Sequence, residues 1–388
     1  MKIGILTHWW GNDNYGQILQ MYGLSKYLNI KNHKVTILRI NPYIIQQKKH
    51  SKINRYLSIL NPKKVINYMI NKSKSVPNKY RMEKVPSRYF ERFRQNYLPF
   101  SEREYFSLLE LEEDAKHYDS IIVGSDQVWN YFSNGEDGFP AIDTYSIRFG
   151  PSQLVRLSYA ASMGFNGTEE THLKRLVANL HKFKGVSVRE EIAKEILERQ
   201  GLLNVEWVPD PTLLLPVDTY KEFLSNDNRF RVSFFFYILN NQSIFTCINI
   251  TNEMKKQDKQ FILVGANRLY NKSVNAYPTV EEWLSYLEYS GTVITNSYHG
   301  CVFSILFHKN FYYFPLLPNA QGHVDSRIDS LLARLGIEGR AITTKEQLSS
   351  VIANPYKPID WDSVDTKREE FVQAGKDFLA KHLGDSFI

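Results

Sequence analysis

Short runs of strand-forming residues, each followed by a helical stretch, recur along this chain, and that order leaves few folds open to it. KIGILTH is followed by a helix to about Leu28 and then KVTILRI, and SIIVGSD, VRLSYAA, KGVSVRE and VEWVPD come later. Repeated βα units predict a mostly parallel sheet with helices on both faces. The series then restarts with VSFFFYIL, a helix over about 244–256, FILVGA, a helix over 280–289, TVITNS, a helix from Cys301, and FYYFPLL. The prolines of VPDPTLLLP interrupt any regular element and set a boundary near Pro211 to Pro216.

A chain of 388 residues exceeds the usual size of one core. The expected fold class is therefore α/β, with two Rossmann-like domains facing a cleft. The first covers 1–215 with a basic insertion at about 44–88, and the second covers 216–345. A helical tail remains over 346–388, for which packing back on the N-terminal domain is one disposition. A hydrophobic fraction of 43% with 14% aromatics excludes a disordered chain. Met1 leads into KIGILTHWW, which is too short and too soon interrupted for a signal peptide, and no apolar run nears the roughly 20 residues that span a bilayer. A cytoplasmic protein is the expectation. Cys247 and Cys301 suggest neither a disulfide framework nor a zinc site.

Charge is unevenly spread. Fourteen Lys and Arg against two acids between Asn41 and Phe100 give that stretch +12, within a chain of net charge +7, so the remainder is net negative. The cations alternate with Ile, Leu and Tyr. The stretch is either a peripheral contact for the anionic inner face of a cytoplasmic membrane or a solvated insertion. No nucleic-acid partner is expected.

In a pair of such domains, ligands lie in the crevice beyond the carboxyl ends of the strands, which directs attention to four post-strand loops. In THWWGNDNYGQILQ, Asn14 with Gln17 resembles a capping box, and Ile18, Met21, Leu24 and Leu28 give the next helix an apolar face. Gly11 and Gly16 allow close backbone approach, and the turn either holds an anion or only starts a helix. In IIVGSDQVWN, Asp126 after Gly124 and Ser125 either caps a helix or serves a sugar hydroxyl as acceptor or base. In VSVRE, Arg189 either faces a phosphate or carboxylate or pairs with Glu190, Glu191 or Asp210. In TVITNSYHGC, His299 lies within about a turn of a helix start, between Ser297 and Gly300, where a titratable group is a candidate for chemistry.

Taken together, NYGQILQ at 14–20, GSDQVWN at 124–130, SVRE at 187–190 with DPTLLL at 210–215, and TNSYHG at 295–300 resemble the polysaccharide pyruvyl transferase family. Their order and spacing carry the resemblance over about 3–40 and 90–340. It implies a glycosyltransferase-like GT-B pair of Rossmann-type domains. It also implies transfer of the enolpyruvyl carbons of phosphoenolpyruvate onto two hydroxyls of a sugar, as in bacterial exopolysaccharide or capsule synthesis, forming a pyruvate ketal and releasing phosphate. The family's motif histidine falls on His299 and its arginine on Arg189. Where many relatives carry Asp or Ser, this chain has Asn296, which removes a carboxylate from that position.

The chemistry explains the residue types. Phosphoenolpyruvate carries two anionic groups. Arg189, the Gly300 backbone and the helix from Cys301 are candidates for one, and the Asn14–Tyr15–Gly16 turn or Arg327 for the other. His299 is the candidate acid for C3 and Asp126 the candidate group for the acceptor hydroxyl. Gly124, Ser125 and Ser297 complete the expected substrate-binding loops. No metal or other cofactor is called for, since the enol phosphate and fixed cations carry the reaction. The partners are phosphoenolpyruvate and a sugar or lipid-linked oligosaccharide. The competing readings are a nucleotide-sugar-dependent GT-B glycosyltransferase and a non-catalytic binding protein of polysaccharide assembly.

Overall fold

A computed structural model describes residues 1–10, 14–40, 88–130, 139–164, 170–239, 247–265, 276–318 and 326–384. Nearly all of the basic 44–88 insertion lies outside the described residues. The first sheet contains β1 (Lys2–Leu6), β2 (Lys34–Ile40), β3 (Phe100–Tyr105), β4 (Ser120–Val123) and β5 (Val155–Ser158), in the order β3-β2-β1-β4-β5. Every pairing is parallel. β6 (Val186–Val188) and β7 (Val205–Trp207) pair with each other, and single bridges from Leu157 to Gly185 and from Ala161 to Val188 join them to the β5 edge. The second sheet contains β8 (Phe234–Ile238), β9 (Phe261–Gly265), β10 (Thr292–Thr295) and β11 (Asn310–Tyr313), in the order β11-β10-β8-β9, again parallel throughout.

Parallel strands covered on both faces bury nearly every residue, and alternate side chains enter different cores. Ile3, Ile5, Ile37 and Ile122 point into one apolar layer that also receives Phe235, Tyr237, Val293 and Phe311 of the second sheet. The opposite faces build separate cores: Leu38, Ile121 and Val123 in the first sheet, and Phe234, Phe236 and Ile294 in the second. One continuous apolar layer thus runs between the two sheets.

The helix Tyr15–Ile30 lies in that layer. Its four apolar positions suggest a single buried face, yet most of its residues are buried on all sides. The reason is its neighbours, since it packs against the first sheet, the turn at Pro211–Leu213 and the helix Tyr298–Leu306. Tyr15 stacks on Trp283 with centroids 5.1 Å apart and planes 7° from parallel. Gly23 meets the turn so closely that a Cβ would lie 2.6 Å from the Pro211 carbonyl oxygen. A backbone atom cannot rotate aside, so Gly23→Ala is expected to cost about 1–3 kcal/mol, read as a lower urea midpoint.

The C-terminal helix Trp361–Leu383 lies against the first half of the chain. Lys184 Nζ donates to the His382 carbonyl at 2.8 Å, Phe371 meets Trp207 edge-on at 5.2 Å, and Gly375 passes beneath the Tyr159 hydroxyl. Among the described residues, no helix is long and apolar enough to cross a membrane.

Candidate active site

Strand order marks two places where ligands belong. In the first sheet the direction of winding reverses between β1 and β4, and in the second between β8 and β10; crevices open at the carboxyl ends of such strand pairs. Thr7 and His8 follow β1, Gly124 to Asp126 follow β4, and Asn296 to His299 follow β10. Asn296 bridges the second reversal by accepting from the Leu239 N–H at 2.7 Å.

Around these ends the structure assembles a buried polar cluster. His299 stands in the first turn of the helix Tyr298–Leu306, which starts three residues before the expected Cys301 because Ser297 caps it. Its Nε2 lies 3.2 Å from Asp210 Oδ2. The same oxygen accepts from Arg189 Nη1 at 2.8 Å and lies 3.2 Å from Ser125 Oγ. Asp210 Oδ1 accepts from the Thr212 N–H and hydroxyl at 3.0 and 2.8 Å. One carboxylate therefore ties together the loops after β4, β6, β7 and β10.

Electrostatics follow from burial. Water is excluded from Asp210, which opposes its charge, but His299, Arg189 and the Thr212 N–H outweigh that cost and hold the carboxyl far below its usual range. Burial likewise opposes the charge on Asp126, and His8, Arg189 and His299 overcome it. His8 Nδ1 is 3.8 Å from Asp126 Oδ2, and burial pushes the His8 pKa down, so the pair is a neutral imidazole beside a carboxylate. Arg189 stays charged: burial disfavours the cation, but Asp210 and Glu190 more than compensate. Its guanidinium lies 4.6 Å from the Tyr298 ring centroid.

These shifts have a sign for stability. Asp126 and Asp210 titrate below their unfolded value of 3.8, so in that window the unfolded chain binds more protons. Their contribution is complete above the ordinary carboxylate range and is lost as pH falls through it. The urea midpoint is expected to drop below about pH 4, with a shallower drop in Asp210→Asn. Equal midpoints at pH 7 and pH 3 would contradict this.

The expected site residues divide into two groups. His299, Asp126, Ser125, Arg189, Gly16 and Arg327 come together. A Cβ on Gly16 would lie 2.1 Å from His299 Nδ1, so the start of the Tyr15 helix is laid directly on the imidazole. With its amide oxygen towards Arg327, Gln127 accepts from Nη1 and Nη2 at 2.6 and 2.7 Å, which joins the Asp126 loop to the helix Arg327–Leu335. Asp126 adopts a left-handed φ of 73°, and its Oδ1 accepts from the Gln127 N–H at 2.8 Å.

The others, and Arg189 within the cluster, have partners in the protein itself. Tyr15 is fully buried in the layer between the sheets, its hydroxyl donating to the Pro278 carbonyl at 2.6 Å. Asn14 and Ser297 cap their helices. The Gly300 N–H donates to Ser297 Oγ at 3.3 Å. Gly124 has a φ of 110° and faces the Tyr159 carbonyl, where a Cβ would lie 2.4 Å away. Arg189 has a side chain with no exposed surface and is committed to Asp210, the pairing that VSVRE and VPDPT left open. Its Nε and Nη2 are buried without a hydrogen-bond partner among the described residues, Nε lying 3.8 Å from Glu190 Oε1.

Two members went unassigned in the sequence. Asp210 figured only as a partner for Arg189, although both residues closely follow adjacent parallel strands. His8 was passed over, although it follows the central strand of the first sheet.

Two parallel α/β units whose post-strand loops meet in one cluster define a GT-B-type protein. The chain belongs to the polysaccharide pyruvyl transferase family, whose model matches residues 14–316. No curated protein matches the sequence. Among solved structures, the UDP-GlcNAc 2-epimerase of Methanocaldococcus jannaschii, in complex with UDP-GlcNAc and UDP, is similar with a TM-score of 0.51 at 15% identity, covering 99% of this chain and 100% of that one. A UDP-N-acetylglucosamine 2-epimerase from Rickettsia bellii gives 0.51 at 10% identity, covering 98% and 95%. At these identities the likeness is one of fold.

Proposed function

We propose that this chain transfers the pyruvyl carbons of phosphoenolpyruvate to two hydroxyls of a sugar, closing a cyclic ketal. The observation that carries the reading is one buried cluster holding a histidine and, on the facing loop, a carboxylate kept ionised. Protonation of the donor's C3 leaves an oxocarbenium-like C2 for the first hydroxyl to attack, and His299 is the acid. Asp126 accepts the hydroxyl proton. Phosphate then leaves from C2 and the second hydroxyl closes the ring. Overall, one of the two hydroxyl protons ends in the new methyl group and the other on phosphate. Arg327, reaching the Asp126 loop through Gln127, supplies cationic charge for the donor's carboxylate or phosphate.

The test is phosphate release from phosphoenolpyruvate across a panel of free and lipid-linked glycosides, with nucleotide sugars as the competing donors. Acceptor-dependent release with formation of a pyruvylated glycoside supports the reading. Turnover of a nucleotide sugar in its place would make the chain a glycosyltransferase. If the basic 44–88 stretch holds the enzyme at a membrane surface, its binding to anionic liposomes falls steeply with salt.

A further inference from the structure

The two ring nitrogens of His299 stand in different surroundings. Nε2 faces Asp210 Oδ2 at 3.2 Å, and that oxygen is itself held by Arg189 and lies beside Ser125. Nδ1 makes no hydrogen bond to any described residue. It lies at the start of the Tyr15 helix, over Gly16, where any Cβ would coincide with the ring edge: 2.1 Å from Nδ1 and 2.3 Å from Cγ. Of the two loops that touch the imidazole, one grips it by a carboxylate and the other makes room for it.

An imidazole whose one nitrogen faces a carboxylate carries its proton there, and the opposite nitrogen exchanges protons with the substrate. We propose that Asp210 is the positioning residue of this site: it holds His299 through Nε2–H, so that Nδ1 is the nitrogen that protonates the methylene carbon of the enol donor. The proposal rests on the transfer reading given above. In the imidazolium both nitrogens bear hydrogen. Nδ1–H passes its proton to C3, the C2–C3 π pair forms the new C–H bond, and C2 takes up the acceptor oxygen. His299 is then neutral with Nε2–H still on Asp210, and it regains its Nδ1 proton from the second hydroxyl as the ketal closes. The proton that Asp126 took from the first hydroxyl leaves on phosphate.

Gly16 is the second element of the device. Its missing side chain lets the imidazole lie against the helix start, and Gly16→Ala must displace the ring or the helix starts that carry it, since a Cβ there would also lie 2.6 Å from the His299 Cβ.

The groups around His299 are Asp210 and Arg189 on the carboxylate side, Asp126 with His8 on the facing loop, and Tyr298 beside it in sequence, with ring centroids 5.3 Å apart. The decisive measurement is nitrogen NMR of the full chain with labelled histidine, with the His299 resonances assigned by their loss in His299→Gln. In neutral His299 of the wild type, a protonated Nε2 and an unprotonated Nδ1 are expected, with both tautomers present in Asp210→Asn. The kcat of Asp210→Asn is expected to fall about 100-fold with an altered pH profile and a KM for the donor within about 2-fold of wild type, and Gly16→Ala is expected to lose kcat similarly. A neutral His299 protonated on Nδ1 would overturn the assignment, as would wild-type kcat and pH profile in a folded Asp210→Asn. The spectrum needs no substrate. A wild type that releases no phosphate with any acceptor would overturn the transfer reading, and the proton's destination with it, while the anchoring of Nε2 is judged on the spectrum alone.

Discussion

Phosphate release from phosphoenolpyruvate in the presence of acceptor is expected to fall by about 10³-fold in His299→Ala, the loss that follows when a general acid is removed and not replaced. The fold is expected to survive. Asp210 keeps Arg189 and Thr212 as partners, so no buried carboxylate is left bare. Donor affinity, measured calorimetrically, should change little, because the proton transfer belongs to the transition state. Turnover near that of wild type would remove His299 from the mechanism.

Arg189→Ala is expected to act on folding first. Both side chains of the Arg189–Asp210 pair have no exposed surface, so the discount that applies to surface ion pairs does not apply here. Removing the cation leaves the buried carboxylate with only His299 and the neutral donors of Thr212 and Ser125, and breaking such a pair costs about 3–5 kcal/mol. The check is the urea midpoint together with donor affinity under conditions where the variant is folded. A variant of unchanged stability and lost donor affinity would return Arg189 to the anion site that its sequence context also allowed. Arg189→Ala combined with Asp210→Ala is expected to cost less than the sum of the two, since the bare charge is gone.

Much of the architecture was legible in the chain because parallel strands buried on both faces are written as unbroken apolar runs. SIIV, FFFYI and TVIT each became a strand. β3 was not legible, for the opposite reason. Its FSEREY lies at the sheet edge with three successive residues exposed, so it offers no apolar run to read. The helix Tyr15–Ile30 was found but its surroundings were not, since four apolar positions on one face cannot announce that the remaining faces are covered by other parts of the chain. In the site, His299, Asp126, Ser125 and Gly16 were marked by their places after strands. Asp210 was legible only as one possible partner of Arg189, and its link to His299, 89 residues away, is a relation that spacing does not encode. Tyr15 and Gly16 are neighbours in the sequence but face different ways, since Gly16 faces the histidine whereas Tyr15 points into the layer between the sheets.

The apolar layer shared by the two sheets bears on timing. Tyr15 on Trp283, together with Ile3, Ile5, Phe235 and Val293, forms one interior, and the imidazole of His299 rests on the same helix that carries Tyr15. If His299 is the acid, as proposed above, it is already seated before any donor arrives, and little reorganisation remains for binding energy to drive. Progress curves should then start at full velocity whichever substrate is added last, without the lag that a slowly closing enzyme shows.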